Sequence, residues 1–302
     1  MAPKGSKSAL AKELGVSRGM LYYHPKQGDK DEVLRREIEA VMLLHPAYGH
    51  QRVALALKIS RKRARRVMKI FGLKPARRAK TPRKPDDIGR PASKRPDILR
   101  VLSPIAPDVV WVADFTYIWF HDRHIYLATV IDRFTREVLG VAVMMEHSAE
   151  LVCRALKMAL LGASTLPLWF HSDQGSEYTS GEAEALLTAN GIGISHAPKA
   201  SPWRNGSQES FFGRFKVEVG DLERFKTLPQ LMEAIYIHIA YYNTERIHSA
   251  HRAPPATARL NYQQIITSYP QVISLPRRVA SQRSPLPLLR SGSEDSATTN
   301  YN

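Results

Sequence analysis

Apolar positions along this chain follow two rhythms. Before about residue 75 they recur at helical spacing; between about 109 and 196 they gather in short runs broken by turn residues. In 8–23, Leu10 and Leu14 give a first helix an apolar face, Gly15 ends it, Ser17 caps a second, and Met20 and Leu21 pack back, the pattern of a helix-turn-helix. The segment 31–44 reads as an amphipathic helix with Val33, Leu34, Ile38, Val41, Met42 and Leu44 apolar. Two further helices, 51–58 and 61–71, flank Ile59-Ser60, with Ser60 as cap and Ala64, Val67, Met68 and Phe71 as the packing side of the second. Residues 75–100 are rich in Pro, Arg and Lys without apolar periodicity, which predicts a semi-extended linker.

Strands are expected at about 109–120, 124–134 and 138–145, joined tightly at Asp122-Arg123 and Thr135-Arg136, so an antiparallel meander is natural. A helix over 148–163, capped by Ser148, turns Leu151, Val152, Ala155, Leu156, Ala159 and Leu160 inward. Leu168-Trp169-Phe170 is a short buried strand ending at Asp173; a helix at 180–190 and a strand at 192–196 follow. Helices over 207–219, with Phe211, Phe212, Phe215 and Val219 inward, and over 228–246, with Leu231, Ile235, Ile239 and Tyr242 inward, come next. A meander followed by alternating helix and strand gives an α/β fold, a mixed five-stranded sheet covered by helices and preceded by all-α units. The predicted divisions are 1–28, 29–75, a linker at 76–105, a core at 106–262 and an extension at 263–302, disordered from about 276.

Charge sharpens this division. Residues 1–100 hold 26 Lys and Arg against 9 Asp and Glu, whereas 101–302 hold 18 against 19, so the whole surplus of +16 lies in the first third. Solubility alone does not explain such segregation; a polyanion such as nucleic acid does. Arg61, Lys62, Arg63, Arg65, Arg66 and Lys69 crowd one short helix although like charges one turn apart repel, which suits phosphate tracking. In the helix-turn-helix reading the second helix aims Arg18 at a DNA groove. One cysteine, Cys153, excludes an internal disulfide and a Cys-rich zinc site, and no run of 18 apolar residues is present, so a soluble cytoplasmic protein without membrane contact is expected.

Three carboxylates stand out. Asp114 interrupts an apolar strand, where an acid is costly unless paired or metal-bound. Asp173 sits at the carboxyl end of a strand, and Glu209, 35 residues beyond it, lies on a helix that carries Lys216 two turns on. Three acids on separate elements suit two Mg²⁺ ions, which take oxygen ligands and need one or two carboxylates each. Two such ions about 3.5–4 Å apart serve phosphodiester displacement. His171 and His196 are read as structural or phosphate-contacting, because Mg²⁺ prefers oxygen, and Asp132 as structural. The Pro-rich loop 197–205, with Lys199 and Arg204, is a candidate flap on DNA.

The blocks WVADFTY, HSDQGSEY, NGSQESFFGRFK and YYNTERIHSAHRAPPATA, in this order, resemble the DDE catalytic core of bacterial insertion-sequence transposases of the insertion-sequence-three type, relatives of retroviral integrases. The resemblance covers 109–260 directly. The segment from AYGHQRVALAL to VMKIFGLKPARR resembles the second helix-turn-helix that precedes the core in that family. It implies a ribonuclease-H-like fold, Asp114, Asp173 and Glu209 as catalytic metal ligands, Lys216 as a DNA contact, and Mg²⁺ with Mn²⁺ as substitute. It further implies double-stranded DNA as element ends and target, a homo-oligomer, nucleoid association, and a possible fusion to an upstream reading frame. Glu177 stands where the family more often has Gln, and Ser249-Ala250-His251 also departs from its pattern. The competing readings are a ribonuclease-H-like nuclease without strand transfer and a non-catalytic DNA-binding regulator.

Overall fold

The computed structural model describes residues 6–22, 27–77, 95–198 and 206–268, with the side chains of 206 and 207 excepted. Internal contacts divide the chain into two units, residues 1–79 and 80–302. The tail beyond 268, Lys199, Arg204 and most of the predicted linker lie outside the described residues.

In the first unit helix α1 is Lys7–Glu13, capped by the Ser6 hydroxyl, which accepts from the Ala9 N–H. Gly15, with φ at +66°, closes it: the Gly15 and Val16 N–H groups return to the Lys12 and Ala11 carbonyls. The second helix of the expected helix-turn-helix is absent; Arg18–Tyr22 forms a 3₁₀ turn with no buried residue. Leu10, Leu14 and Met20, expected to pack together, are exposed, and Ala11 alone is buried in α1. Seven helical residues burying one alanine gain too little apolar contact to order a second helix.

Helices α2 (Gln27–Leu44), α3 (His50–Ala56) and α4 (Arg61–Ile70) do build a core, around Leu34, Ile38, Tyr48, Val53, Ala64, Val67 and Met68. Ser60 caps α4 as predicted, accepting from the Arg63 N–H at 3.2 Å. Within α2, Val33 and Leu44 are exposed, contrary to expectation, and the buried stripe is Asp31, Leu34 and Ile38. Asp31 replaces an apolar contact because Arg66 of α4 reaches it with two guanidinium N–H groups, one at 2.6 Å, and holds its carboxyl below the usual range.

The second unit is a five-stranded sheet in the order β3-β2-β1-β4-β5. Strands β1 (Val110–Phe120), β2 (Arg123–Asp132) and β3 (Val138–Met144) form the predicted antiparallel meander. Strand β4 (Trp169–Ser172) lies parallel to β1, and β5 (Gly193–His196) parallel to β4. Helices α5 (Ala149–Gly162) and α6 (Gly181–Ala189) cover one face, against Trp111, Ala113, Ala128, Val130, Ala142, Phe170 and Ile194. Helices α7 (Gly206–Glu218) and α8 (Leu228–Thr244) cover the other, against Val110, Val112, Leu127, Ile131 and Val141. Burial on both faces is why the strands read as nearly continuous apolar runs.

Two local expectations change. The Ser148 hydroxyl does not cap α5, although its backbone stands at the cap position. A final helix, α9 (Pro255–Ser268), runs through the predicted core boundary at 262. Its opening proline fills the first helical position, where a missing N–H costs nothing. Arg259 of α9 then binds Asp108 at 2.7 Å and Glu137, and approaches the buried Asp132 at 3.9 Å. Asp132 also accepts from the Asp108 and Thr135 N–H groups at 2.7 and 2.6 Å, a structural role as expected.

Candidate active site

Parallel pairing brings the first two acids together. The register Val112 to His171, carried two residues further, sets Asp114 of β1 opposite Asp173, the first residue beyond β4. Asp173 is steadied by the Gly175 N–H, donated to its Oδ1 at 2.9 Å. A side chain at Gly175 would displace the Glu177 carboxylate and come within 3.1 Å of Asp173 Oδ1.

The third acid is positioned by α7. Gln208, fully buried, donates from Nε2 to the Val112 carbonyl at 2.8 Å and accepts from the Thr129 hydroxyl at 3.1 Å. Thr129 is the cross-strand partner of Asp114. Two turns along, Lys216 donates to the Thr116 hydroxyl and the Tyr117 carbonyl at 2.8 and 2.7 Å and lies over the Tyr117 ring. Helix α7 is therefore fixed to β1 on both sides of Asp114, with Glu209 beside the first attachment. Lys216, expected as a DNA contact, binds β1 instead in this structure.

Electrostatics register the convergence. Burial, then the charge of Asp173 and, more weakly, that of Glu209 push the Asp114 carboxyl well above its ordinary pKa, against the Phe115 N–H bond that lowers it. Asp173 and Glu209 are exposed. Among the described residues no three His, Cys, Asp or Glu side chains are gathered closely enough to hold one ion: Asp114 and Asp173 are set opposite each other, and Glu209 is not closed onto them. An open, all-oxygen set with mutually repelling charges fits a hard cation that keeps several waters, and fits zinc poorly.

Two neighbours were not legible as site residues. Tyr178 is buried against Phe115 and Phe170, and burial, then Asp114, Asp173 and Glu177 push its phenol well above the ordinary value. Glu177 is buried and meets His147 Nε2 at 3.0 Å, while the His147 ring stacks on Tyr126. The noted departure at 177 was the only sequence signal for that pair. His171 and His196 are buried, His171 within 2.8 Å of the Ser195 hydroxyl, which supports structural roles.

The predicted DNA contacts divide. Arg18, Arg61, Lys62, Arg63, Arg65 and Lys69 are exposed. At 100° per residue, Arg61, Lys62, Arg65 and Lys69 share one side of α4, away from Val67. Arg66 is engaged with Asp31.

Residues 104–202 match the family model described as Integrase core domain, and 190–255 match a second model of the same description. The second unit is thus an integrase core, of the polynucleotidyl-transferase type. The chain is 31% identical over 233 residues to the transposase for insertion sequence element IS904 of Lactococcus lactis, covering 74% of this chain and 92% of that protein. It is also 31% identical over 251 residues to the InsK protein of insertion sequence element IS150 of Escherichia coli, covering 79% and 87%. A solved structure of the HTLV-2 integrase catalytic core domain in complex with magnesium is 21% identical, covering 52% of this chain and 99% of that one, with a TM-score of 0.44. The chain belongs to the bacterial insertion-sequence transposases that carry a retroviral-integrase-like core. Among the described residues no helix is long and apolar enough to cross a membrane.

Proposed function

We propose that this transposase binds the ends of its own mobile element, cuts a phosphodiester there to free a 3′-OH, and joins that end to target DNA. Asp114, Asp173 and Glu209 would hold two divalent cations, Mg²⁺ or in its place Mn²⁺. Bound there, the ions supply Lewis-acid activation of the attacking oxygen and stabilise the leaving one. The observation that carries the reading is the parallel register that sets Asp114 opposite Asp173, with Glu209 next to the Gln208 anchor on β1. Carboxylates that repel one another without cations are what a cation site looks like when only its protein part is considered.

The chain's own residues do three things. Gln208 and Lys216 hold α7 against β1 and so fix Glu209 relative to Asp114. Tyr178 packs on Phe115 and Phe170 and donates its N–H to the Gly175 carbonyl, holding the turn that carries Asp173. The exposed cations of α4 meet phosphates of the element ends. Hydrolysis breaks one P–O bond and leaves a 3′-OH and a 5′-phosphate. Joining exchanges one P–O bond for another, the attacking hydroxyl loses its proton, and no energy source is consumed. Pairing two ends requires at least a dimer, and an upstream-frame fusion would add further end recognition.

The test uses purified protein, a labelled duplex carrying the terminal repeat, and Mg²⁺, with wild type beside Glu209→Gln. Strand-transfer products from wild type alone, with equal DNA binding in both, support the reading. Cutting without joining makes the protein a nuclease, and binding without chemistry in either makes it a regulator.

A further inference from the structure

Arginines in the second unit fall into two groups. Arg246 is paired with Glu218, with contacts at 2.7 and 2.8 Å, and Arg259 with Asp108 and Glu137. Arg133, Arg136 and Arg214 have no carboxylate within ion-pair distance among the described residues, yet all three line one cleft of about 300 Å³ between β2, α7 and α8. Arg133 and Arg136 also line a second cleft of about 240 Å³, with Arg100.

Three observations mark these cations, and the first is geometric. Nε and Nη1 of Arg136 are buried with no hydrogen-bond partner among the described residues. Arg136 also takes a left-handed backbone, φ +70°, a strain that a non-glycine residue keeps when its surroundings demand it. Burial alone lowers the pKa of Arg133, and burial, then Arg246, lower that of Arg214 against the opposing charges of Glu218 and Tyr242. Glu218 lies one turn beyond Arg214 but is already taken by Arg246. Donors held dry and unpaired are costly, and an oxyanion seated in the cleft removes that cost.

We propose that Arg133, Arg136 and Arg214 form an oxyanion site that takes a backbone phosphate of bound DNA, separate from the phosphate at Asp114, Asp173 and Glu209. The site rests on the transposase reading above and adds a grip within the core. Ser210 of α7 lines the same cleft and directly follows Glu209, so one helix serves both sites. Planar guanidinium groups suit a phosphate's paired oxygens. Contact with the backbone positions DNA without reading its sequence.

The experiment measures binding of the full chain to a terminal-repeat duplex and a scrambled duplex of equal length, over a series of salt concentrations. Arg136→Gln is expected to weaken both alike and to lower the slope of log K against log salt by about 1, the value of one phosphate contact. Its thermal midpoint should be unchanged or higher, since an unpaired buried cation is removed. If Arg136→Gln does not fold, Arg133→Gln and Arg214→Gln must each give the same slope change. Folded variants that keep the wild-type slope and affinity overturn the site. Wild type that binds neither duplex overturns the transposase reading instead.

Discussion

Gln208→Leu isolates how Glu209 is positioned. The amide is fully buried and spans α7, β1 and β2 through the Val112 carbonyl and the Thr129 hydroxyl. Leucine has similar bulk but strands the buried Thr129 hydroxyl and takes a donor from Val112. An unmet buried hydrogen-bonding group costs about 1–3 kcal/mol. For a unit of this size that lowers the melting temperature by roughly 2–4 °C per kcal/mol. The greater effect is on chemistry. Glu209 is the next residue, and a shift of about 1 Å in a reacting group costs on the order of 10²-fold in rate. The assay is Mg²⁺-dependent cleavage of a terminal-repeat duplex, with melting followed in parallel. The loss should fall on kcat, with DNA affinity kept, and Thr129→Val, which removes one of the two contacts, should lie between. A Gln208→Leu protein that melts several degrees lower yet cleaves at the wild-type rate would refute the positioning role.

Other consequences are open to test. Asp114→Asn removes a carboxylate that burial and Asp173 disfavour, so it should raise the melting temperature of metal-free protein, abolish the shift that Mg²⁺ gives wild type, and stop cleavage. A calorimetric scan with and without Mg²⁺ checks this. Gly140→Ala drives a methyl group into the Ala155 carbonyl and within 2.9 Å of Ala159, backbone that cannot yield, so urea unfolding should show a loss of about 3 kcal/mol. Burial, opposed by Arg259, raises Asp132 from 3.8 to about 6. The folded state then keeps a proton the unfolded chain has lost, so this residue's contribution to stability falls as pH rises from about 4 through about 6, by up to about 3 kcal/mol. Asp132→Asn should flatten that part of the urea-midpoint profile, and an unchanged slope would sink the assignment.

Most of the core was legible because the sheet is buried on both faces. Val110 and Val112 serve one core and Trp111 and Ala113 the other, so the strand appears as one apolar run in which Asp114 is conspicuous. The stripe Phe211, Phe212, Phe215 and Val219 likewise fixed the orientation of α7. What failed was decided by distant partners. Val33 fits the helical period of α2, but the position that turns inward is Asp31, which only Arg66, 35 residues away, makes tolerable. Leu10, Leu14 and Met20 have helical spacing without a surface to meet. Helix α9 was hidden by Pro254-Pro255, which mark a helix start rather than a break. Gln208 resembles any polar residue until Val112 and Thr129 are seen beside it.

Charge counting shows the same limit from the other side. The surplus in residues 1–100 pointed correctly to a cationic face on α4, because exposed charges there sum without much pairing. In 101–302 the near balance of 18 against 19 suggested nothing. Yet the acids are not spread evenly: Glu218 neutralises Arg246, while Asp108 and Glu137 share Arg259. Asp114 lies opposite Asp173 across β1 and β4, and neither is taken by those arginines. With those acids committed, Arg133, Arg136 and Arg214 meet around one cleft. A unit with almost no net charge can thus set carboxylates opposite each other in one place and gather arginines around a cleft in another. On the reading proposed above, the first would cut DNA at one phosphate and the second grip it at another.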